Sequence, residues 1–438
     1  MLLASAAFSG LAARLAGVMG MPSLRTVVLP HPVGGIPIAE VLQKVDAVVD
    51  EIIGKLTLPL AQKSAPAAAA PRNDALIDIA TADHWADDWA DLQSAFIARG
   101  WSDGLPVVPP TEAHVAAMVK ASRFPPEHVV EIIPPNRGLA TVEKIAVNAV
   151  MAGCRPEHMP VLIAAIIGLA DAAFSLKNVQ ATTHPVAPLL VVAGPLVQTL
   201  NINAGSGVFG PGPWANGAIG RAIRLVMLNI GGGTPIEIDK ATMGNPGKFS
   251  YCIAENDAAS PWPTLRAERG FAPETSIVTV FAGEAPHNIN DHESTTAGGL
   301  LTTIAGAIAQ TGQNNVYYPS ELLVLLSPEH AHTIAADGYT KDDVKKAIYE
   351  QARIPLSRFS RENRERRLWR FMPKRYLNRP LDTLVAVVQQ WQDVVVIVTG
   401  GAGKHSMYVP TTGSARSIST PVLKPDGSAW LPADFANC

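Results

Sequence analysis

Four short runs constrain this chain more than any other feature. Leu189–Val192, Ser276–Phe281, Leu322–Leu326 and Val394–Val398 are dominated by aliphatic and β-branched residues at consecutive positions. A strand with one wet face alternates apolar with polar residues, whereas a continuous apolar run is buried on both faces. Stretches with helical character separate the runs: Ala218–Leu228, Ala297–Ala309, Lys341–Gln351 and Leu381–Gln390. Buried strands alternating with helices predict an α/β fold, its sheet mixed or mostly parallel with flanking helices. Strand endings in Ala-Gly-Pro, Ala-Gly-Glu-Ala-Pro-His and Thr-Gly-Gly-Ala-Gly-Lys-His hint at a repeated layout without an exact repeat.

Upstream, residues 1–60 read as a small αβα fragment. An Ala/Leu-rich helix over 1–21 leads to a strand at 25–30 and a His31-Pro-Val-Gly-Gly turn. An amphipathic helix follows, with Val41, Val45, Val48, Ile52 and Leu56 on one face. Proline and alanine dominate residues 61–78, which read as a linker. The main domain then spans 79–438, beginning with a helix from Thr81 and dividing into two subdomains near 235–275. Helices are expected at 142–151 and from Pro156 to about residue 173.

At 47% hydrophobic and 17% charged residues the chain has material for a large core and too little charge for disorder. A formal net charge of -3 gives nucleic acid and anionic membranes no global attraction. No uncharged apolar run approaches a membrane span. The first residues carry no positive charge and Arg14 interrupts the apolar run, unlike a signal peptide, so a cytoplasmic location is expected. Three scattered cysteines, Cys154, Cys252 and Cys438, exclude a disulfide framework and a structural zinc motif. The basic, aromatic segment 358–375 also holds Glu362 and Glu365, and reads as a subunit contact or solvated helix rather than a nucleic-acid surface.

Candidate chemistry lies on loops. The loop from Asn203 through Gly205, Ser206, Gly207 and Gly210 opens backbone N–H groups to an anion, and Arg221 follows on the next helix. Neither a P-loop nor a dinucleotide fingerprint is present. After the second run come His287, Asn288, Asp291 and His292, where strand ends present ligands in α/β sheets. Thr183 and His184 precede the first run, and Lys404 and His405 follow the last. Cys154 sits before the helix expected at Pro156, a place that lowers a thiol's pKa. A strand over 247–256 would carry Lys248 and Cys252 on one face, beside a cavity. His184, the 203–212 loop, Lys248 or Tyr251, and His287 are expected to line one pocket.

The features of residues 1–57, above all Leu24-Arg-Thr-Val-Val-Leu-Pro-His-Pro-Val-Gly-Gly35, resemble the C-terminal part of the UGSC-type (seleno)protein family. That family is named for a redox-active Sec/Cys-Gly-Ser-Cys motif, which this sequence lacks. The resemblance implies a UGSC-type redox protein as partner. It also leads to the expectation that the chain starts inside a UGSC-like domain, behind an in-frame TGA codon. Residues from about 81 to 420 resemble a bacterial α/β family that accompanies the UGSC unit, through Gln180-Ala-Thr-Thr-His-Pro185, Gly244-Asn-Pro-Gly-Lys-Phe-Ser-Tyr-Cys252 and Pro286-His-Asn-Ile-Asn-Asp-His292. This second resemblance implies no particular activity.

The leading reading is an enzyme acting on a small anionic metabolite, beside a thiol or selenol reductase module, with no cofactor expected. The anion would meet the 203–212 loop and Arg221, with Thr183, His184, Asn288, Asp291, Lys404 and His405 around it. His287, His292 or Lys248 would serve as acid and base, and Cys154 or Cys252 as nucleophile. One rival is a metal-dependent hydrolase or lyase using His184, His287, Asp291 and His292. The other is a non-catalytic subunit of an assembly, including a homo-oligomer.

Overall fold

The computed structural model describes residues 1–57, 85–318, 320–413 and 415–436. The linker expected at 61–78, the helix start at Thr81 and Cys438 lie outside them. In chain order the strands are β1 (Leu2–Ser5), β2 (Thr26–Leu29), β3 (Val129–Ile133), β4 (Gly138–Thr141), β5 (Ala187–Ala193), β6 (Cys252–Ala254), β7 (Ile277–Gly283), β8 (His287–Asn290), β9 (Leu322–Leu326), β10 (Arg353–Pro355), β11 (Leu384–Ala386), β12 (Val394–Val398), β13 (His405–Val409) and β14 (Ile418–Pro421). The four apolar runs are β5, β7, β9 and β12, buried at every position.

Two mixed sheets form the centre, ordered β14-β7-β5-β6 and β12-β9-β13-β8. The pairs β5/β6 and β9/β12 are parallel, and the other neighbours are antiparallel. The sheets pack face to face through Leu189 and Val191 of β5, Phe281 of β7, Leu323 and Leu325 of β9, and Val395 and Ile397 of β12. Alternate residues point outward. Leu190 and Val192 meet the helices Met159–Ala170 and Trp214–Asn229. Val324 and Val396 meet the helices Ala297–Ile308 and Lys341–Gln351. The result is four layers: helix, sheet, sheet, helix. This explains the unbroken apolar runs, because every central strand is covered on both faces.

The two sheets share one plan. A first strand (β5 or β9) crosses through helices to a parallel neighbour (β6 or β12), and a third strand (β7 or β13) returns antiparallel on the other side. The outer strands are exchanged. β8 follows β7 but pairs with β13, while β14 follows β13 but pairs with β7. The two connections run antiparallel where they meet, bridged at Gly283 and Thr411, and Glu284 N–H donates to the Pro410 carbonyl at 2.8 Å. A second crossing joins the ends of β6 and β12. Asn256 N–H donates to the Val398 carbonyl at 2.8 Å, and the Thr399 hydroxyl donates to the Ala254 carbonyl at 2.7 Å.

Three local expectations change. Residues 1–21 begin with β1, which pairs parallel with β2 around the helix Ser9–Val18, so the N-terminal fragment has one strand more than expected. Its amphipathic stretch is two helices, Ile38–Asp46 and Val49–Thr57. The segment 381–390 is not a helix: β11 pairs antiparallel with β10, and alternation decides it, with Leu384 exposed and Val385 fully buried. Within 247–256 the strand is confined to β6, because Asn245 and Pro246 set up a 3-10 turn that carries Lys248. Among the described residues no helix is long and apolar enough to cross a membrane.

Candidate functional site

The helix Trp214–Asn229 packs tightly on the segment leading into β6, and Gly220 is the reason. A Cβ there would lie 2.5 Å from both the Ser250 hydroxyl and the Tyr251 amide nitrogen. The close approach brings the helix's two arginines, three residues apart, beside the turns that carry Asp239 and Lys248. Arg221 and Arg224 have different fates.

Arg221 is already engaged. Its guanidinium donates to both oxygens of Asp103, at 2.9 and 2.8 Å, and to the Leu105 carbonyl at 3.0 Å. The anion expected at Arg221 is therefore Asp103 of the protein itself. The Asp103 side chain is only 3% exposed. Arg221→Gln strands this carboxylate, and the chain should lose about 2 kcal/mol of stability in urea unfolding. An unchanged unfolding midpoint would contradict this.

Arg224 is 8% exposed. Among the described residues its guanidinium makes no hydrogen bond, and its ion-pair partner, Asp239, lies 3.8 Å away, beyond bonding distance. The same Asp239 oxygen accepts from the Lys248 ammonium at 2.7 Å. With Arg221 paired to Asp103, three cations face two carboxylates and leave an excess positive charge. Burial pushes the pKa of Arg224 and Lys248 down, against the attraction of Asp239 and, for Arg224, of Asp103. Lys248 is held by its turn, where the Asn245 carboxamide oxygen accepts from Gly247 N–H at 2.7 Å. These groups, with Asp103, line an open cleft of ≈ 1020 Å³ whose other walls carry the apolar Pro235, Ile236, Met243 and Phe249 beside Lys240 and Thr242. Behind them a void of ≈ 10 Å³, close to the room one water takes, reaches Gln180. Gln180 is 97% buried, being 3% exposed, and its carboxamide oxygen has no partner among the described residues.

The remaining candidates gather in separate places. The Thr183 carbonyl accepts from Thr242 N–H at 2.9 Å and so ties its loop to the cleft's rim. His184 Nε2 lies 2.8 Å from a Glu284 oxygen, at the crossing of the exchanged connections, and the Tyr251 hydroxyl donates to the Glu284 carbonyl at 2.8 Å. His287 sits exposed on β8, its ring against Tyr408. His292 and His405 face each other with Nε2 atoms 3.2 Å apart, His405 Nδ1 is 3.0 Å from the Asn288 carboxamide oxygen, and Lys404 donates to the His292 carbonyl at 2.8 Å. Burial would raise the Asp291 carboxyl, but hydrogen bonds from Thr303 and from the amides of Ser294 and Glu293 hold it near about 2. Asp291 is a loop staple rather than a base.

The glycine-rich loop closes on itself. Asn203 accepts from Gly205 N–H and donates to the Ser206 carbonyl, both at 2.9 Å, and Gly210 N–H donates to the Gly207 carbonyl at 2.7 Å. Ser206 packs on Gly401, where a Cβ would meet its hydroxyl at 1.7 Å. The two glycine-rich loops therefore brace each other. Asn203 lines another cleft, of ≈ 810 Å³, at the carboxyl ends of β5 and β6. Of the residues expected around one pocket, His184 and Tyr251 meet at Glu284 and Phe209 of the 203–212 loop lies 5.7 Å from the Tyr251 ring, whereas Lys248 lines the other cleft.

Both described cysteines are buried in the core. Burial pushes the Cys252 thiol up to about 12 and Cys154 higher still, the latter also opposed by Cys252. Neither is placed as a nucleophile, and desolvation outweighs the turn N-terminus at Pro156. Among the described residues no three His, Cys, Asp or Glu side chains gather as a metal site, so the four residues of the metal-dependent reading are not assembled into one.

Sequence reasoning marks Arg224 beside Arg221 and Gln180 at the head of the Gln180–Pro185 run without giving either a role, and it misses Asp103 and Asp239, which are remote in sequence and linked by no spacing.

The N-terminal unit reaches this cleft. Arg14 donates to Glu237 at 2.6 Å and to Thr234 at 3.1 Å, both on the turn that delivers Asp239. Residues 1–58 match the UGSC family. No curated protein and no solved structure matches the chain. The UGSC unit is thus a parallel β1/β2 pair with three helices, joined by its arginine to the turn behind the cleft. It contains no cysteine.

Proposed function

We propose that this protein is an enzyme acting on a small organic anion, held in the cleft floored by Arg224, Lys248 and Asp239. The observation that carries this reading is the buried Arg224 guanidinium, which makes no hydrogen bond among the described residues and shares Asp239 with Lys248, while the nearby Asp103 is held by Arg221. A carboxylate on the ligand would supply the missing acceptor, and such charge-assisted bonds are the strong ones. The apolar rim suits a hydrocarbon or aromatic body. Lys248, with its pKa depressed by burial, is the group fitted for acid-base or nucleophilic work. The UGSC match favours a UGSC-type redox protein as neighbour, docking at residues 1–58.

Calorimetric titration with phenylpropionate tests the site. Binding to the native chain is expected, with a loss of about tenfold in affinity, or roughly 1.4 kcal/mol, in Arg224→Gln. Equal affinities for the two proteins would remove Arg224 from the site.

A further inference from the structure

We infer that Lys248 condenses with the carbonyl of an α-keto acid bearing an apolar side chain, whose carboxylate sits on Arg224. The inference rests on the anion reading above and adds the substrate class and the bond formed. Three observations carry it. The lysine nitrogen and the arginine guanidinium lie 2.7 and 3.8 Å from one oxygen of Asp239, so amine and anion contact are close neighbours. In an α-keto acid the electrophilic carbon is bonded directly to the carboxylate carbon, which matches that short span. The cleft's apolar rim, formed by Ile236, Met243 and Phe249, receives the side chain.

The step balances without a further reactant. The Lys248 ammonium passes one proton to Asp239, its hydrogen-bond partner at 2.7 Å. The free amine's electron pair attacks the carbonyl carbon, forming a C–N bond as the C=O π pair moves onto oxygen, which takes a proton from the new ammonium nitrogen and becomes a hydroxyl. The proton on Asp239 returns to that hydroxyl, which leaves as water while the nitrogen's electron pair forms the C=N bond of a protonated imine. Burial already weakens the lysine's hold on its proton, which favours the attacking form. The unpartnered Gln180 oxygen, beside a void with room for about one water, is placed to hold the water released.

The test is reductive trapping on the native chain. The protein is incubated with phenylpyruvate and borohydride, digested and mapped by mass spectrometry. The expected product is a single adduct on Lys248, heavier by the keto acid less one oxygen. The neighbouring Lys240, which also lines the cleft, should stay unmodified. Lys248→Arg keeps the charge and should abolish the adduct. Because that variant can disturb folding, the mapped position in the native chain decides. An adduct spread over Lys240 and other lysines, or no adduct at all, overturns the inference. Phenylpropionate, which has no carbonyl, separates the two readings. If it binds while phenylpyruvate leaves no adduct, the anion site stands and the imine falls. If neither compound binds, both fall.

Discussion

An Ile397→Ala chain unfolds in a single transition, about 2–5 kcal/mol less stable than the native chain. Ile397 is fully buried on β12, in the layer where the two sheets meet. Truncation removes its contacts with both sheets at once and leaves a cavity that close-packed strands fill poorly. The outer strands are exchanged, so loosening one sheet loosens strands of the other. Urea unfolding followed by tryptophan fluorescence and by circular dichroism should therefore give coincident curves, both shifted. Two separated transitions would mean that the sheets fold as independent units.

A second large effect concerns Glu255, just after β6. It is 1% exposed, and its carboxylate accepts from Leu265 N–H at 2.9 Å, with Lys341 4.0 Å away. Burial raises its carboxyl, and the attraction of Lys341 and the Leu265 bond only partly offset this, leaving it at about 7 against the usual 4.5. The sign follows from proton binding. Between those two values the folded state keeps the proton that the unfolded state has lost, so stability falls as pH rises. At about 1.4 kcal/mol per unit, the loss attributable to Glu255 is about 3 kcal/mol across that window. Glu255→Gln removes the titration. Unfolding free energies measured near pH 4 and pH 8 should drop by about 3 kcal/mol more in the native chain than in the variant. Equal drops in the two chains would contradict the burial argument.

Much of the fold was legible because apolar runs and helical periodicity are local. β9, β12 and the helices at 142–151 and 341–351 lie at the expected residues. The segment at 381–390 misled because Leu-Asp-Thr-Leu-Val-Ala-Val-Val is compatible with either period, and only its pairing with β10 makes it a strand. The arrangement in two face-to-face sheets was not legible. An unbroken apolar run says that both faces are covered but not by what, and helices cover strands as well as a second sheet does.

The candidate site was less readable than the fold. Lys248 stood out because a lysine beside Tyr251 and Cys252 is out of place in apolar surroundings. Its partner Asp239 belongs to a separate turn, and Asp103 reaches Arg221 from the loop between the helices Trp85–Ala98 and Glu112–Ser122. Arg221 attracted attention as a cation after a glycine-rich loop, yet a cation's availability depends on which carboxylate the fold delivers to it. Sequence names the charge, while the long-range contact decides whether it is spent.

The exchange of β8 and β14 has a practical consequence. Any cut placed between β5 and β14 leaves at least one strand on the fragment that does not own its sheet. Deleting the last stretch of chain therefore does not trim a tail: it uncovers the edge of β7, in the sheet that the chain left well over a hundred residues earlier. A hydrogen-exchange reporter at Thr420, which sits opposite Val278, reads the integrity of that earlier sheet rather than of its own neighbours in sequence.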